Sequence, residues 1–396
     1  MKNFIFISPN FPENYWHFCR HLRDNGFNVL GIGDCEYFNL LPELKASLTE
    51  YYKVSDLSNY DEVFRAVAFF TFRYGKIDWL ESNNEYWLER DAHLRTEFNI
   101  ATGFKDGDMK KVKLKSQMKP FYAEAGIKAA RYCLADSPRA CKKFIDEVGY
   151  PVIVKPDNGV GANDTHRLCS DDDLIQFFAT KLPVRYIMEE YIDATVNSYD
   201  AIVNSKGEPI FETGNVTLGS LMDVVNTGDS SMFYIVDQPF EDVREAGRRT
   251  LRAFGVRSRF VHFEFFRLNR DQHIGKKGEI VALEVNMRPS GGISPEMMNY
   301  ANSTDVYKIW ADMVAFDCSS KGTGERFYCA FVGRRDGKPY VHSDDEIYSR
   351  YAGSIKIARR VAKALSGAMG DRMFVVNLKT KEEVDEFYRF TTECRQ

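Results

Sequence analysis

The stretch RFVHFEFFRLNRDQHIGKKGEIVALEVNMRPSGG, residues 259–292, decides how the rest of the chain is read. Two apolar-rich runs, 260–268 and 279–286, flank a polar loop holding Gly275 and Gly278, and this spacing predicts an antiparallel hairpin. Side chains alternate along a strand, which puts His262 and Glu264 on one face of the first run and Glu284 and Asn286 on one face of the second. The midpoint of 264 and 284 is 274, inside the loop, so a symmetric hairpin sets the two carboxylates opposite each other. Opposed like charges destabilise a sheet unless a cation lies between them. Oxygen donors on a rigid sheet suit Mg²⁺, which binds one or two carboxylates together with substrate phosphates. Arg288 continues the parity before Pro289 ends the strand, and a guanidinium there can hold a phosphate or carboxylate through two parallel hydrogen bonds. A strand pair with a solvated polar face gives the same pattern, so the hairpin alone leaves both readings open.

The surroundings narrow the choice. With 396 residues the chain is long enough for two or three domains, and 44% hydrophobic and 14% aromatic residues can fill their cores. A net charge of -4 without a basic tract argues against nucleic-acid and membrane-surface partners. Cys19, Cys35, Cys133, Cys141, Cys169, Cys318, Cys329 and Cys394 form no C-x-x-C pair, which argues against a zinc site and for free thiols in a reducing compartment. The opening MKNFIFISPNFP is too short for a signal-peptide core, and no window reaches the roughly 20 apolar residues that cross a bilayer. A cytoplasmic location is the expectation.

Residues 2–104 alternate short apolar runs with amphipathic ones: strands at 4–8, 28–33 and 77–82, helices at 14–25, 61–74 and 85–98. This predicts a parallel, Rossmann-like sheet. The first loop, PNFPENY, lacks the G-x-G-x-x-G of a dinucleotide site, although loops at strand ends, 83–85 included, could contact a small substrate. A lysine-rich connector, KDGDMKKVKLKS, reads as mostly solvated, and KSQMKPFYAEAGI as a helix ending at Gly126.

In GYPVIVKPDNGVGAND, Lys155 leaves a β-rich run just before a loop with Gly159 and Gly161. A fixed ammonium beside a glycine loop suits a polyphosphate, although lysines before glycine turns are also common surface features. RYIMEEYID then links two strands; such a link can offer one carbonyl and one amide to a planar heterocycle, or simply carry the chain between sheets. Residues 211–234 read as a binding loop and 239–254 and 303–316 as helices. The tail reads as a hairpin turning at Asp336 and Gly337, a helix over 344–365, a strand over 373–378 and a helix over 380–392.

Taken in this order, the motifs resemble the ATP-grasp superfamily, whose members include biotin carboxylase, carbamoyl-phosphate synthetase large chain, D-alanine ligase and the purine-pathway carboxylate-amine ligases. The resemblance covers 115–313 and implies a Rossmann-like pre-ATP-grasp domain (1–110), a small lobe with hinge (111–195), a large lobe with a magnesium site (196–320) and a C-terminal α/β extension (321–396). It implies that Lys115, eleven residues before Gly126, and Lys155 reach nucleotide phosphates under the Gly159 and Gly161 loop. Glu189, Glu190, Tyr191 and Ile192 match the adenine hinge, with main-chain contacts expected from Glu190 and Ile192. Glu264, Glu284 and Asn286 match the metal ligands, and Arg288 and Lys155 would be catalytic. Two positions depart from the pattern: Val196 stands where many relatives have a ribose-binding glutamate, so either Asp193 or Asn197 takes over or the ribose is held less tightly, and Ala194 replaces the hinge glycine.

The resemblance implies ATP and Mg²⁺, with Mn²⁺ able to replace it, and a carboxylate-amine or carboxylate-thiol ligase that forms an acyl phosphate. The rival activities are a kinase of the same fold and a nucleotide-binding module without turnover. The substrates would be a small carboxylate and an amine. Candidate substrate contacts are the 214–230 loop, 290–294, Arg334, Arg335 and His342, and the tail could serve as a cap or as a homodimer surface.

Overall fold

The computed structural model describes residues 1–159, 164–218 and 230–395, and at 364 and 365 the backbone alone. The chain opens with a four-stranded parallel sheet in the order Glu50–Lys53, Phe27–Gly33, Lys2–Ile7, Trp79–Glu81. Phe4 to Ile7 are fully buried because helices cover both faces of a parallel sheet, which is why this strand is apolar throughout instead of alternating. Helix Tyr60–Tyr74 starts where the Asn59 side chain accepts the Glu62 N–H and stops at Gly75, whose φ is 84°. The chain winds outward over three strands and returns to the other side of the first, so the order reverses between Lys2–Ile7 and Trp79–Glu81.

A small antiparallel sheet follows, in the order Tyr132–Leu134, Tyr186–Glu190, Val152–Pro156, His166–Leu168. Helices Pro138–Val148 and Asp171–Thr180 pack their apolar sides, Phe144, Ile145, Leu174 and Phe177, against it. The third sheet has 10 strands, and the 259–292 hairpin lies in it as strands Arg259–Leu268 and Ile280–Asn286. Its register is the expected one: Glu264 faces Glu284 and His262 faces Asn286. Immediately after the Glu264–Glu284 pair the register slips by one at Leu283, a bulge that leaves the acidic pair intact. Helices Glu241–Phe254 and Lys115–Glu124 cover the other face through Leu251, Phe254, Met118 and Tyr122, packed on Tyr199, Phe263 and Phe265.

The opening sheet is not an isolated unit. Trp310, on helix Val306–Phe316, is 2% exposed and meets Phe4 and Phe18 edge-on at centroid distances of 5.7 and 4.9 Å. This shared core fixes the loops at the carboxyl ends of the parallel strands relative to the large sheet.

The tail departs from expectation in two places. Gly337 does turn the chain, with φ 80°, but no hairpin forms there. Tyr328–Arg334 pairs instead with Ser231–Ile235 on one side and Arg372–Leu378 on the other, because those apolar strands bury more than the polar stretch after the turn. The helix expected over 344–365 is three elements: helix Asp344–Tyr351, edge strand Ile355–Arg360 and helix Lys363–Met369. SIKIARR alternates with the period of a strand, and a neighbouring strand was available to take it. Similarly, 303–316 is helical only from Val306, where Asp305 caps it; Ser303 is left-handed and closes the preceding helix Ser294–Asn302. The architecture is a mixed α/β one: a Rossmann-like sheet, two α+β lobes and an α/β extension whose strands continue the large sheet.

Candidate active site

Glu264 and Glu284 project from neighbouring strands toward the gap between the small and large sheets, with their side chains 29% and 16% exposed. The Lys115 ammonium, at the start of helix Lys115–Glu124, lies 2.9 Å from Glu284 Oε1 and donates to the Gly159 carbonyl at 3.2 Å. Lys155 approaches from strand Val152–Pro156 and sits 2.7 Å from Glu189 Oε2, while Lys119 holds the other Glu189 oxygen. Lys119 was not singled out in the sequence, yet it lies one helical turn beyond Lys115, a spacing that puts both on one helix face.

The charges set one another. Burial alone would raise the Glu189 carboxyl, but Lys119 and Lys155 overcome it and hold its pKa at about 2. For Lys155 burial favours the neutral amine, and Glu189, then Glu284 and Glu264, reverse this and raise its pKa. Burial likewise opposes ionisation of Glu264, while the His262 hydrogen bond and the charges of His262, Arg288 and Lys155 lower its pKa. His262 bridges two carboxylates, its Nδ1 2.8 Å from Asp200 Oδ1 and its Nε2 3.4 Å from Glu264 Oε1. Against the effect of burial, Asp200 and then Glu264 raise its pKa to about 9, so it is an imidazolium that orients Glu264.

Arg288 donates to Asn286 Oδ1 at 3.3 Å and to the Pro289 carbonyl at 2.9 Å. Its Nε stands 3.4 Å from Glu85 Oε2, an acid from the far end of the opening sheet. Glu85 also pairs with Lys113 at 2.5 Å, and Arg288 and Lys113 overcome burial to keep its pKa low. Lys113 belongs to the connector read as mostly solvated, but it is 5% exposed: the run forms helix Asp106–Lys113, and its last lysine turns inward to Glu85.

In the hinge, the Glu190 carboxylate is clamped by Arg131, at 2.9 Å from Nε and 2.6 Å from Nη2, and the Glu190 N–H is spent on the Arg131 carbonyl at 3.1 Å. Tyr191 stacks under Arg167, 4.6 Å from the ring centroid. Ile192 belongs to an apolar cluster with Ala130, Leu268 and Val281, bordered by Ala194 and Phe266. Asn197 is not brought to the acids. It pairs with Phe265, is 2% exposed and donates to the Thr195 carbonyl; strand periodicity turns it to the helix-covered face, leaving Val196 and Ser198 on the face of Glu264. Asp193 is engaged by Asn269 and Arg270.

Gly161 and residues 219–229 of the expected binding loop lie outside the described residues. In the tail, Arg334 is buried against Asp344 at 2.6 Å and over the Tyr340 ring, Arg335 donates to the Ser366 and Gly367 carbonyls, and His342 stacks on Phe390. These three hold the extension together instead of facing the acids.

Glu264, Glu284 and the Asn286 amide form an all-oxygen set on one face, and the Lys115 ammonium against Glu284 shows that positive charge is accepted there. This donor set fits a hard divalent cation. Among the described residues no three His, Cys, Asp or Glu side chains form a group that could hold a metal ion by themselves. No described helix is long and apolar enough to cross a membrane.

No protein-family model matches the sequence. A stretch of 118 residues is 30% identical to the arginine-specific large chain of chloroplastic carbamoyl phosphate synthase from Oryza sativa subsp. japonica, covering 27% of this chain and only 10% of that protein's length. Solved structures align over nearly the whole chain. An L-amino acid ligase from Bacillus licheniformis matches with a TM-score of 0.69 at 14% identity, covering 98% of this chain and 96% of that one. The biotin carboxylase domain of the Hydrogenobacter thermophilus 2-oxoglutarate carboxylase matches at 0.69 and 14%, covering 98% and 89%. Phosphoribosylglycinamide synthetase from Anaerococcus prevotii matches at 0.64 and 15%, covering 97% and 96%. With the two lobes, the paired sheet carboxylates and these alignments, the chain has the ATP-grasp fold.

Proposed function

We propose that the chain is an ATP-dependent carboxylate-amine ligase, with a thiol as the alternative nucleophile, built on the division 1–110, 111–195, 196–320 and 321–396. The observation that carries the reading is the meeting of Glu264 and Glu284 on paired strands with Lys115, and with Lys155 across the gap. A nucleotide would lie between the two sheets, its base against Ile192 and Phe266 and its phosphates on Lys115 and Lys155 under the Gly159 and Gly161 loop. Glu264, Glu284 and Asn286 would hold Mg²⁺, which when bound neutralises phosphate charge and polarises the γ-phosphoryl group.

A substrate carboxylate oxygen attacks the γ-phosphorus, the bond to the bridging oxygen breaks, and an acyl phosphate and ADP result. An amine nitrogen then attacks the acyl carbon, the carbon–oxygen bond to phosphate breaks, inorganic phosphate leaves, and the nitrogen's proton passes to solvent. Arg288 steadies the anionic oxygens as their charge grows, an interaction that strengthens toward the transition state. The neighbours' names support this class: one is an amino acid ligase, and the carboxylase was crystallised with MgADP and bicarbonate.

Purified chain incubated with ATP and Mg²⁺ against panels of carboxylic acids and amines should release ADP and inorganic phosphate in equal amounts. A phosphorylated product without free phosphate would make it a kinase. The Glu284→Ala variant should lose ADP release, and an unchanged rate would defeat the assignment of this carboxylate.

A further inference from the structure

The proposed reaction assigns Lys115 and Lys155 to nucleotide phosphates and leaves Lys119 without a part. Lys119 lies one turn after Lys115 on helix Lys115–Glu124, which packs on the large sheet through Met118 and Tyr122. Its ammonium reaches out of that lobe to the small sheet. There it pairs with Glu189 Oε1 on strand Tyr186–Glu190 and lies 5.8 Å from the ring centroid of Tyr132, the residue directly opposite Glu189 on the next strand. The two paired side chains are 10% and 7% exposed, so water and salt screen them little.

Glu189 thus carries two cations against one negative charge. Lys155 takes the other oxygen, Oε2, at 2.7 Å, from the strand on the far side of Tyr186–Glu190, where it shares the face of Ile153, the residue opposite Glu189. The same Lys155 ammonium is the one assigned to phosphate, so a bound nucleotide draws it away from Glu189. With no second partner, that movement would leave a buried carboxylate uncompensated, which is strongly unfavourable. Burial raises the Glu189 carboxyl, and of the two cations that bring its pKa down to about 2, Lys119 acts more strongly than Lys155, so the larger share of the compensation stays in place when Lys155 turns.

We infer that Lys119 is a positioning residue for the nucleotide: it remains on Glu189 as a standing counter-ion and so frees Lys155 to bind phosphate. The inference rests on the proposed ligase reading and deepens it. The carboxylate holds Lys155 in the gap before the nucleotide arrives, and the second ammonium lets it go. Lys119 acts through Glu189 and Lys155, without a contact of its own to the phosphates.

The test is calorimetric titration of the full chain with MgADP, in the parent and in Lys119→Met, Glu189→Gln and the double variant, with each fold checked by circular dichroism. Lys119→Met should weaken MgADP by about tenfold or more, because Lys155 is then the sole partner of a buried carboxylate. In the Glu189→Gln background the same replacement should change affinity by less than about threefold, since no carboxylate is left to compensate. Adenosine has no phosphate to draw Lys155, and in competition with MgADP it should bind the parent and Lys119→Met equally well. An equal loss of MgADP in both backgrounds would mean that Lys119 touches phosphate itself, and an equal loss of adenosine and MgADP would mean that it only ties the lobes together; either result overturns the inference, as does a Lys119→Met chain that binds MgADP like the parent. If Lys119→Met does not fold, Lys119→Gln, which keeps a donor but not the charge, takes its place under the same expectations. In all these outcomes the ligase reading stands; if the parent chain does not bind MgADP, both fall.

Discussion

Replacing Glu189 by glutamine tests the charge arrangement in the gap between the sheets directly. Both carboxylate oxygens are taken, one by Lys155 at 2.7 Å and one by Lys119, and the residue is 5% exposed. A carboxyl held at about 2 instead of its ordinary 4.5 is stabilised in its charged form by about 3 kcal/mol at neutral pH. Removing one member of a buried ion pair, which here leaves two ammonium groups facing each other, costs about 3–5 kcal/mol, so the two lines of reasoning agree. Because the folded pKa lies below the unfolded one, this stabilisation is complete above about 4.5, falls to about 1.4 kcal/mol at pH 3, and is lost as pH drops through about 2. Urea unfolding of the parent chain and Glu189→Gln at pH 7 and pH 3, followed by circular dichroism, measures both values. A gap below about 1 kcal/mol at pH 7, or one that is the same at pH 3, would refute the claim that Glu189 stabilises this lobe as a charged partner of the two lysines.

Other consequences can be measured on the same protein. Arg288→Lys keeps the charge but loses the two-pronged geometry, and kcat/KM for ADP release should fall by about a hundredfold or more while the thermal midpoint is retained. With apolar Val196 on the site face and no carboxylate there to demand the 2′-hydroxyl, kcat/KM for 2′-deoxyATP should lie within about tenfold of that for ATP; a preference of about ten thousandfold would mean that another group reads the ribose. Asn197→Ala should leave the KM for ATP within about twofold and lower stability by about 1 kcal/mol, since among the described residues its amide donates to the Thr195 carbonyl alone. Arg334→Ala should destabilise the extension by about 1–3 kcal/mol, read as a lower urea midpoint, because it removes the buried guanidinium that donates to Asp344 and the His342 carbonyl, although Asp344 keeps Arg372.

Much of the candidate site was legible because it is local. Glu264, Glu284, Asn286 and Arg288 come from two strands joined by one loop, so alternation and a midpoint count were enough to pair them. Lys155 before its glycine loop was legible from its own strand, whereas Lys115 was singled out by the family resemblance and lies at the start of helix Lys115–Glu124. Asn197 shows the limit of reading by offset: its distance along the chain from the hinge looked suitable, but its parity points it away from the acids.

What the sequence by itself determined is therefore the order and kind of most elements, and the chemistry each strand could present, since helix and strand periods are properties of a few consecutive residues. The tertiary structure alone decided which distant groups meet. Glu85 against Arg288, Lys113 turned inward to Glu85, Glu189 shared by Lys119 and Lys155, and the tail strand leaving its own turn to pair with Ser231–Ile235 all join residues far apart in the chain. A contact of that kind is set by burial and charge compensation in the assembled molecule, and neither has a period that can be read along one segment.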